Sequence, residues 1–400
     1  MLKNKVKPSG TRAICGLPTL PEPTDELKQL SNELRDVILR EIHAEGPMPF
    51  SRYMEMALYQ PGLGYYSAGL HKLGEKGDFI TSPELGSLFA GCLARQIEEV
   101  AEQLGKYDIL EIGAGSGRLA EDILQLIDEP FQPRRYLILE RSADLRKVQR
   151  EHLAATAPLW LDRVEWLDRP PGEAWQGVIL ANEVIDALAV ERFRVIESKV
   201  EQICVVAAGD TFGWSSRPAP AKLATAFGNL DVELQNGYQS ELNLQLPGWL
   251  SAVTHNMRRG LALFIDYGYP RREYYLHERN DGTLICHYRH RAHDDVFFWP
   301  GLQDITAFVD FTALAEAADL CGLHIEGYTS QVMFLLGCGL EQVLASQVAL
   351  SEDGGMSLNA QTRQLTMPGM MGERFQVMGL GRELGFPLKG FELLDLCHRL

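Results

Sequence analysis

The segment Ile109-Leu110-Glu111-Ile112-Gly113-Ala114-Gly115-Ser116-Gly117 limits the fold of this chain more than any other stretch. An apolar run leads into glycines at alternate positions, and Leu119, Ile123 and Ile127 then recur at helical spacing. Glycine turns the chain sharply and lets backbone approach a ligand with no Cβ in the way. A buried strand that bends through glycines into a helix is the opening unit of a parallel α/β sheet. Such sheets bind ligands beyond the C-terminal ends of their strands.

The alternation continues downstream. Residues 136–139 read as a second strand ending in Glu140, and Ser142 caps a helix that carries Leu145, Val148 and Leu153. Residues 164–167 and 178–181 supply a third and fourth strand, the latter ending in Asn182-Glu183. A fifth, at 261–265, ends in Asp266-Tyr267. A helix at 312–320 and strands at 324–329 and 374–378 complete the pattern. The expected fold class is α/β: a Rossmann-like, seven-stranded, mostly parallel sheet.

Before this sheet, Leu27, Leu30, Leu34, Val37, Ile38 and Ile42 mark one amphipathic helix over 24–45, and a shorter helix follows at 51–59. Thr81-Ser82-Pro83-Glu84 has the chemistry of a helix start, and Phe89, Leu93, Ile97, Val100 and Leu104 continue its stripe as one helix. The expected organisation is an N-terminal arm and helical cap over 1–80. A ligand-binding domain follows over 81–400, with insertions at about 190–260 and 269–303.

Charge decides between ligands for the glycine bend. A dinucleotide site needs Gly-x-Gly-x-x-Gly, and here Arg118 stands where the last glycine belongs. Glu111, at the strand tip, would oppose a pyrophosphate but suits the sulfonium and ammonium of S-adenosylmethionine (SAM). The helix N-terminus suits that ligand's carboxylate. Glu140, 23 residues beyond Gly117, is placed to accept ribose hydroxyls. The cofactor-binding candidates are thus Glu111, Gly113, Ala114, Gly115, Gly117 and Glu140, with Asn182 and Thr81. Thr81 and Ser82 either cap their helix or belong to a loop that closes over the cofactor.

The fourth-strand end, Asn182-Glu183-Val184-Ile185-Asp186, carries the catalytic candidates Asn182, Glu183 and Asp186. Methyl transfer to nitrogen needs a lone pair aimed at the methyl carbon, and carboxylates that grip a cationic acceptor or take its proton. The plainer alternative is a polar helix start capped by Asn182. Asp266-Tyr267 either lines the same cleft or is structural.

The net charge of −16 disfavours nucleic acid and suits a basic protein partner. The cysteines number 7 and never form a Cys-x-x-Cys pair, which points to a reducing compartment and to a cytoplasmic location. No run of 18 apolar residues is present, so no membrane span is expected, and the opening residues read as an arm rather than a signal peptide. The histidines of 286–295 do not follow a zinc spacing, and no metal is expected. A homodimer is compatible with the sequence.

These residues together resemble the MidA-type methyltransferases, relatives of the mitochondrial complex I assembly methyltransferase. The resemblance rests on Met48-Pro49-Phe50-Ser51-Arg52-Tyr53-Met54, Gln60-Pro61-Gly62-Leu63-Gly64-Tyr65-Tyr66, Gly77-Asp78-Phe79-Ile80-Thr81-Ser82-Pro83-Glu84, Glu111 to Gly117, Ala181-Asn182-Glu183, Asp186-Ala187-Leu188, Phe264-Ile265-Asp266-Tyr267-Gly268-Tyr269 and His290-Arg291-Ala292-His293-Asp294-Asp295. It implies a class I SAM-dependent methyltransferase fold with an added cap. From the mitochondrial relatives it implies arginine methylation on a respiratory complex I subunit. Ala114 and Ala189 stand where the family often has proline, and Val184 and Ile185 where it often has aromatics. The expected function is methyl transfer from SAM to a protein side chain, with arginine as the first candidate. The rivals are a SAM-binding assembly factor with little turnover and an NAD-dependent oxidoreductase.

Overall fold

The computed structural model describes residues 20–68, 82–350, 356–367 and 371–400. Their contacts divide into two units. One holds Ile80–Asp186, Leu246–Arg271 and Val309–Leu400; the other holds Met1–Phe79, Ala187–Gln245 and Arg272–Phe308.

The first unit is the α/β sheet. Its strands are β1 Asp108–Ile112, β2 Arg135–Leu139, β3 Val164–Leu167, β4 Trp175–Asn182, β5 Met257–Tyr269, β6 Val309–Asp310, β7 His324–Ser330 and β8 Phe375–Arg382. They lie in the order β7-β8-β5-β4-β1-β2-β3, with the two-residue β6 paired to the end of β5. The run from β5 to β3 is parallel, and β8 is antiparallel to both its neighbours. All five residues of β1 are buried, as a central strand covered on both faces requires. Helices α1 Ser87–Leu104 and α2 Arg118–Leu126 follow the expected apolar stripes, whereas α3 Ala143–Thr156 buries Gln149 and Leu153 and leaves Val148, expected on its stripe, exposed. Their buried leucines and isoleucines join Ile109, Ile138, Leu180 and Leu263 in one core.

Two neighbouring glycines set the strand spacing at the base of this sheet. A Cβ on Gly177 of β4 would fall 1.8 Å from the Asp108 carbonyl oxygen, and one on Gly260 of β5 would fall 1.9 Å from that of Gly177. Both have positive φ, 154° and 146°, which side-chain-bearing residues rarely adopt.

The single helix expected to start at Thr81 is two: Ser82–Leu85 and α1, separated by Gly86 at φ 138°. That backbone angle is incompatible with a continuous helix. Thr81, expected as cap or cofactor contact, lies outside the described residues, as does Phe79.

The second unit contains the helices Asp25–Glu45 and Phe50–Tyr59. Thr24 caps the former through its hydroxyl, which accepts the Leu27 N–H. A five-stranded antiparallel sheet includes the hairpin Glu191–Ile196 and Lys199–Ala208, and a separate three-stranded sheet uses Ile285–Tyr288, Arg291–His293 and Asp304–Thr306. Phe50, Tyr53, Phe212, Trp214 and Phe297 pack at ring separations of 4.7–6.1 Å in its core.

Candidate functional site

The parallel register brings the candidate residues together. Ile112 of β1 pairs with Ala181 of β4, and Ile265 of β5 pairs with Asn182. The glycine bend, Asn182-Glu183 and Asp266 therefore leave three adjacent strands at the same C-terminal edge.

In the bend, Gly113, Gly115 and Gly117 adopt φ of 66°, 55° and 89°. The Gly117 N–H donates to the Ala114 carbonyl at 2.8 Å, closing a tight turn, and Ala114 is buried beneath it. A Cβ on Gly113 would stand 3.3 Å from Val184 Cγ2, a tight contact that brings the β4 loop against the bend. The Ser116 hydroxyl donates to Glu84.

Two carboxylates flank the bend. Glu111 is buried and accepts the Tyr136 hydroxyl at 2.8 Å. Burial pushes its carboxyl up to about 7; the Tyr136 hydrogen bond resists this and the charge of Glu140 adds to it. Glu140 accepts the Ser142 N–H at 2.8 Å and the Gln149 side-chain amide at 3.3 Å. Burial raises its carboxyl as well, against those donors.

At the end of β4, Asn182 donates from Nδ2 to Glu183 at 3.2 Å. Its Oδ1 is buried with no hydrogen-bond partner among the described residues. No helix begins here: residues 183–189 form bends and one short turn, so Asn182 caps no helix. Glu183 has φ 54°, a left-handed conformation unusual for a side-chain-bearing residue, and its N–H donates to the Ile265 carbonyl at 2.9 Å. Asp186 is buried.

Asp266 holds this loop in place. Its Oδ2 accepts the N–H groups of Val184, Ile185 and Asp186 at 3.2, 2.9 and 3.2 Å, and its Oδ1 accepts the Tyr267 N–H at 2.9 Å. Of the two roles the sequence left open for Asp266, this is the supporting one. Burial pushes its carboxyl up to about 7, against the pull of those amides.

Gln149 escaped the sequence reading altogether. It is fully buried on α3 and contacts both the bend and Glu140. A signal was present: Gln149 sits midway between Leu145 and Leu153 at four-residue spacing, a polar residue on a helix's buried stripe. The histidine-rich segment, by contrast, is a hairpin of the second unit. Arg289 and His290 form its turn with φ of 48° and 59°, and Cys286 pairs with His293.

Comparison with known proteins accords with this geometry. A family model described as S-adenosyl-L-methionine-dependent methyltransferase matches residues 92–329, more than half of the 400. A Burkholderia thailandensis protein solved with S-adenosyl-homocysteine bound is 38% identical, covering 96% of this chain and 100% of its own, at a TM-score of 0.90. The protein arginine methyltransferase NDUFAF7 homolog of Drosophila melanogaster is 26% identical, covering 90% of this chain and 87% of its own length. The human NDUFAF7 is 27% identical, with coverage of 86% and 82%.

These curated relatives are named as mitochondrial, which overturns the expected cytoplasmic location. The expectation rested on dispersed cysteines, and free thiols report a redox environment rather than a compartment. Among the described residues, no single helix is long and apolar enough to cross a membrane. With the family match, the shared fold and the strand-edge site together, the chain belongs to the S-adenosyl-L-methionine-dependent methyltransferases and takes that cofactor.

Proposed function

We propose that this methyltransferase modifies a nitrogen of a protein side chain, arginine first among them. The observation that carries the reading is the buried, unpartnered Asn182 Oδ1 beside Glu183. An orphaned buried acceptor costs free energy until an N–H donor satisfies it. A guanidinium offers such donors in a planar fork, and Glu183 and Asp186 supply the charge to hold it. The net charge of −16 suits a basic protein partner. The curated relatives carry the name protein arginine methyltransferase.

The residues at the bend fit the cofactor. Positive φ at Gly113, Gly115 and Gly117 clears backbone for close approach, and Glu140 retains acceptor capacity for ribose hydroxyls. Glu111 faces the ammonium end in this reading. When bound, the cofactor supplies an electrophilic methyl group. Asn182 and Glu183 orient the acceptor's lone pair, and Asp186 adds negative charge, so positioning supplies most of the rate. By the family resemblance, the proposal extends to assembly of a respiratory complex.

Incubation of the protein with methyl-labelled SAM and a protein extract, followed by hydrolysis and amino-acid analysis, tests this. Label on arginine is expected, and Glu183→Gln should lower it. Label on carboxyl or hydroxyl groups alone would contradict the reading. Tight SAM binding with no transfer to any acceptor would favour the assembly factor.

A further inference from the structure

The amide of Gln149 touches both the glycine bend and Glu140. Its Nε2 donates to the Gly115 carbonyl at 3.0 Å and to Glu140 Oε2 at 3.3 Å. Its Oε1 accepts the Trp166 indole N–H at 3.0 Å. An indole nitrogen can only donate, so it forces Oε1 to its own side and Nε2 toward the bend; the amide cannot flip without leaving two donors facing each other. Gly117 lies against the same residue: a Cβ on it would stand 3.4 Å from Gln149 Cα. Glu140 is 8% exposed and its other oxygen is committed to the Ser142 N–H. Gln149 and the Ser142 N–H thus hold the Glu140 carboxylate from its two oxygens.

We propose that Gln149, locked by Trp166, is a positioning residue for cofactor recognition: it sets the Glu140 carboxylate to receive the ribose hydroxyls and pins the Gly115 carbonyl under the nucleoside. This rests on the reading of Glu140 as the ribose acceptor. It adds a part that no motif carries, an interior amide on the third helix joining two loops from different strands. A fixed carboxylate discriminates between a ribose and an analogue lacking a hydroxyl, because the missing donor leaves a buried acceptor unpaired. A carboxylate free to rotate loses that discrimination.

The test is calorimetric titration of the full chain with S-adenosylhomocysteine and with its 2′-deoxy analogue. The wild type should prefer the former by about tenfold. Gln149→Leu should bind both more weakly and bring the preference close to one, because Glu140 loses its fixed orientation. A mere packing role would weaken both ligands equally and keep the ratio; that result would overturn the proposal. Trp166→Phe keeps the glutamine but removes its lock, and should also lower the ratio, so the question stays answerable if Gln149→Leu fails to fold. An unchanged ratio in Trp166→Phe would likewise count against the lock. A wild type that does not distinguish the two ligands would instead remove the Glu140 reading itself.

Discussion

Asp266→Asn isolates the support of the acceptor loop. In the wild type one carboxylate takes four N–H donors, three from consecutive residues of the 184–186 loop. Asparagine is nearly the same size and keeps one oxygen for the loop. Its amide nitrogen then faces the Tyr267 N–H, and that donor is left unpaired. Hydrogen bonds to a charged acceptor contribute about 1.5–3 kcal/mol each and neutral ones about 1 kcal/mol. Weakening three by about 0.5 kcal/mol each and losing one of about 1.5 kcal/mol, the low end of those ranges, sums to at least about 3 kcal/mol. Expressed wholly in loop geometry, that is about 100-fold in turnover.

The pH dependence gives the substitution a signature. Burial raises the Asp266 carboxyl to about 7, so the carboxylate form gains ground as pH rises through 7. Loop positioning, and with it turnover, should rise over the same range in the wild type and stay flat in Asp266→Asn. Global stability runs the other way: a carboxyl raised above its unfolded value loses stabilisation as pH climbs from about 4 to 7. Rates of label transfer at saturating SAM between pH 6 and 8.5, with SAM affinity measured alongside, separate these effects. SAM affinity should change less than about threefold, since none of the Asp266 hydrogen bonds reaches the glycine bend or Glu140. Full turnover of Asp266→Asn at pH 8, or a loss of SAM affinity as large as the loss of rate, would refute the reasoning.

Three further outcomes are expected. A cationic ligand beside Glu111 favours its ionised form, so SAM binding near pH 7 should release up to about half a proton, and Glu111→Gln should release less; calorimetry in buffers of different ionisation enthalpy reads this directly. Gly177→Ala drives a methyl group into the Asp108 carbonyl and should cost about 3 kcal/mol or more, seen as a lowered Tm. Asp108 is buried and receives Arg134 at 2.6 Å and Arg135 at 2.8 Å; burial raises its carboxyl, but the two guanidinium hydrogen bonds outweigh burial and hold it below the usual range. The pair stabilises above about pH 4 and fades as pH falls below it. Asp108→Asn should therefore cost about 2 kcal/mol near neutral pH, allowing for the exposure of Arg134, and much less at pH 3 by chemical denaturation.

What the sequence disclosed and what it hid divide along the range of the interactions. The β1 bend was legible because three glycines between an apolar run and a helical stripe have few other uses, and the strand ends followed from the same alternation. The break at Gly86 was hidden because a lone glycine in an apolar stripe leaves the helical pattern intact while its φ of 138° ends the helix. Asp266 was legible as a strand-end acid, but not as the anchor of amides 80 residues and more away, because only the β4–β5 register creates that contact. Gln149 stood out as a polar residue among apolar ones, but its role was hidden for the same reason. Its partners come from the β1 bend, the end of β2 and the third strand, which only the folded sheet brings together. Where the chain resides was beyond reach of composition, and the relatives supplied that correction.

A crystal structure of the protein grown with S-adenosylhomocysteine is the most direct check on how the cofactor is held. The ribose hydroxyls should lie within hydrogen-bond distance of Glu140, the backbone of Gly113–Gly117 should pass beneath the nucleoside, and the sulfur should point toward Asn182 and Glu183. Nucleoside density in some other cavity, with the glycine bend untouched, would contradict the account.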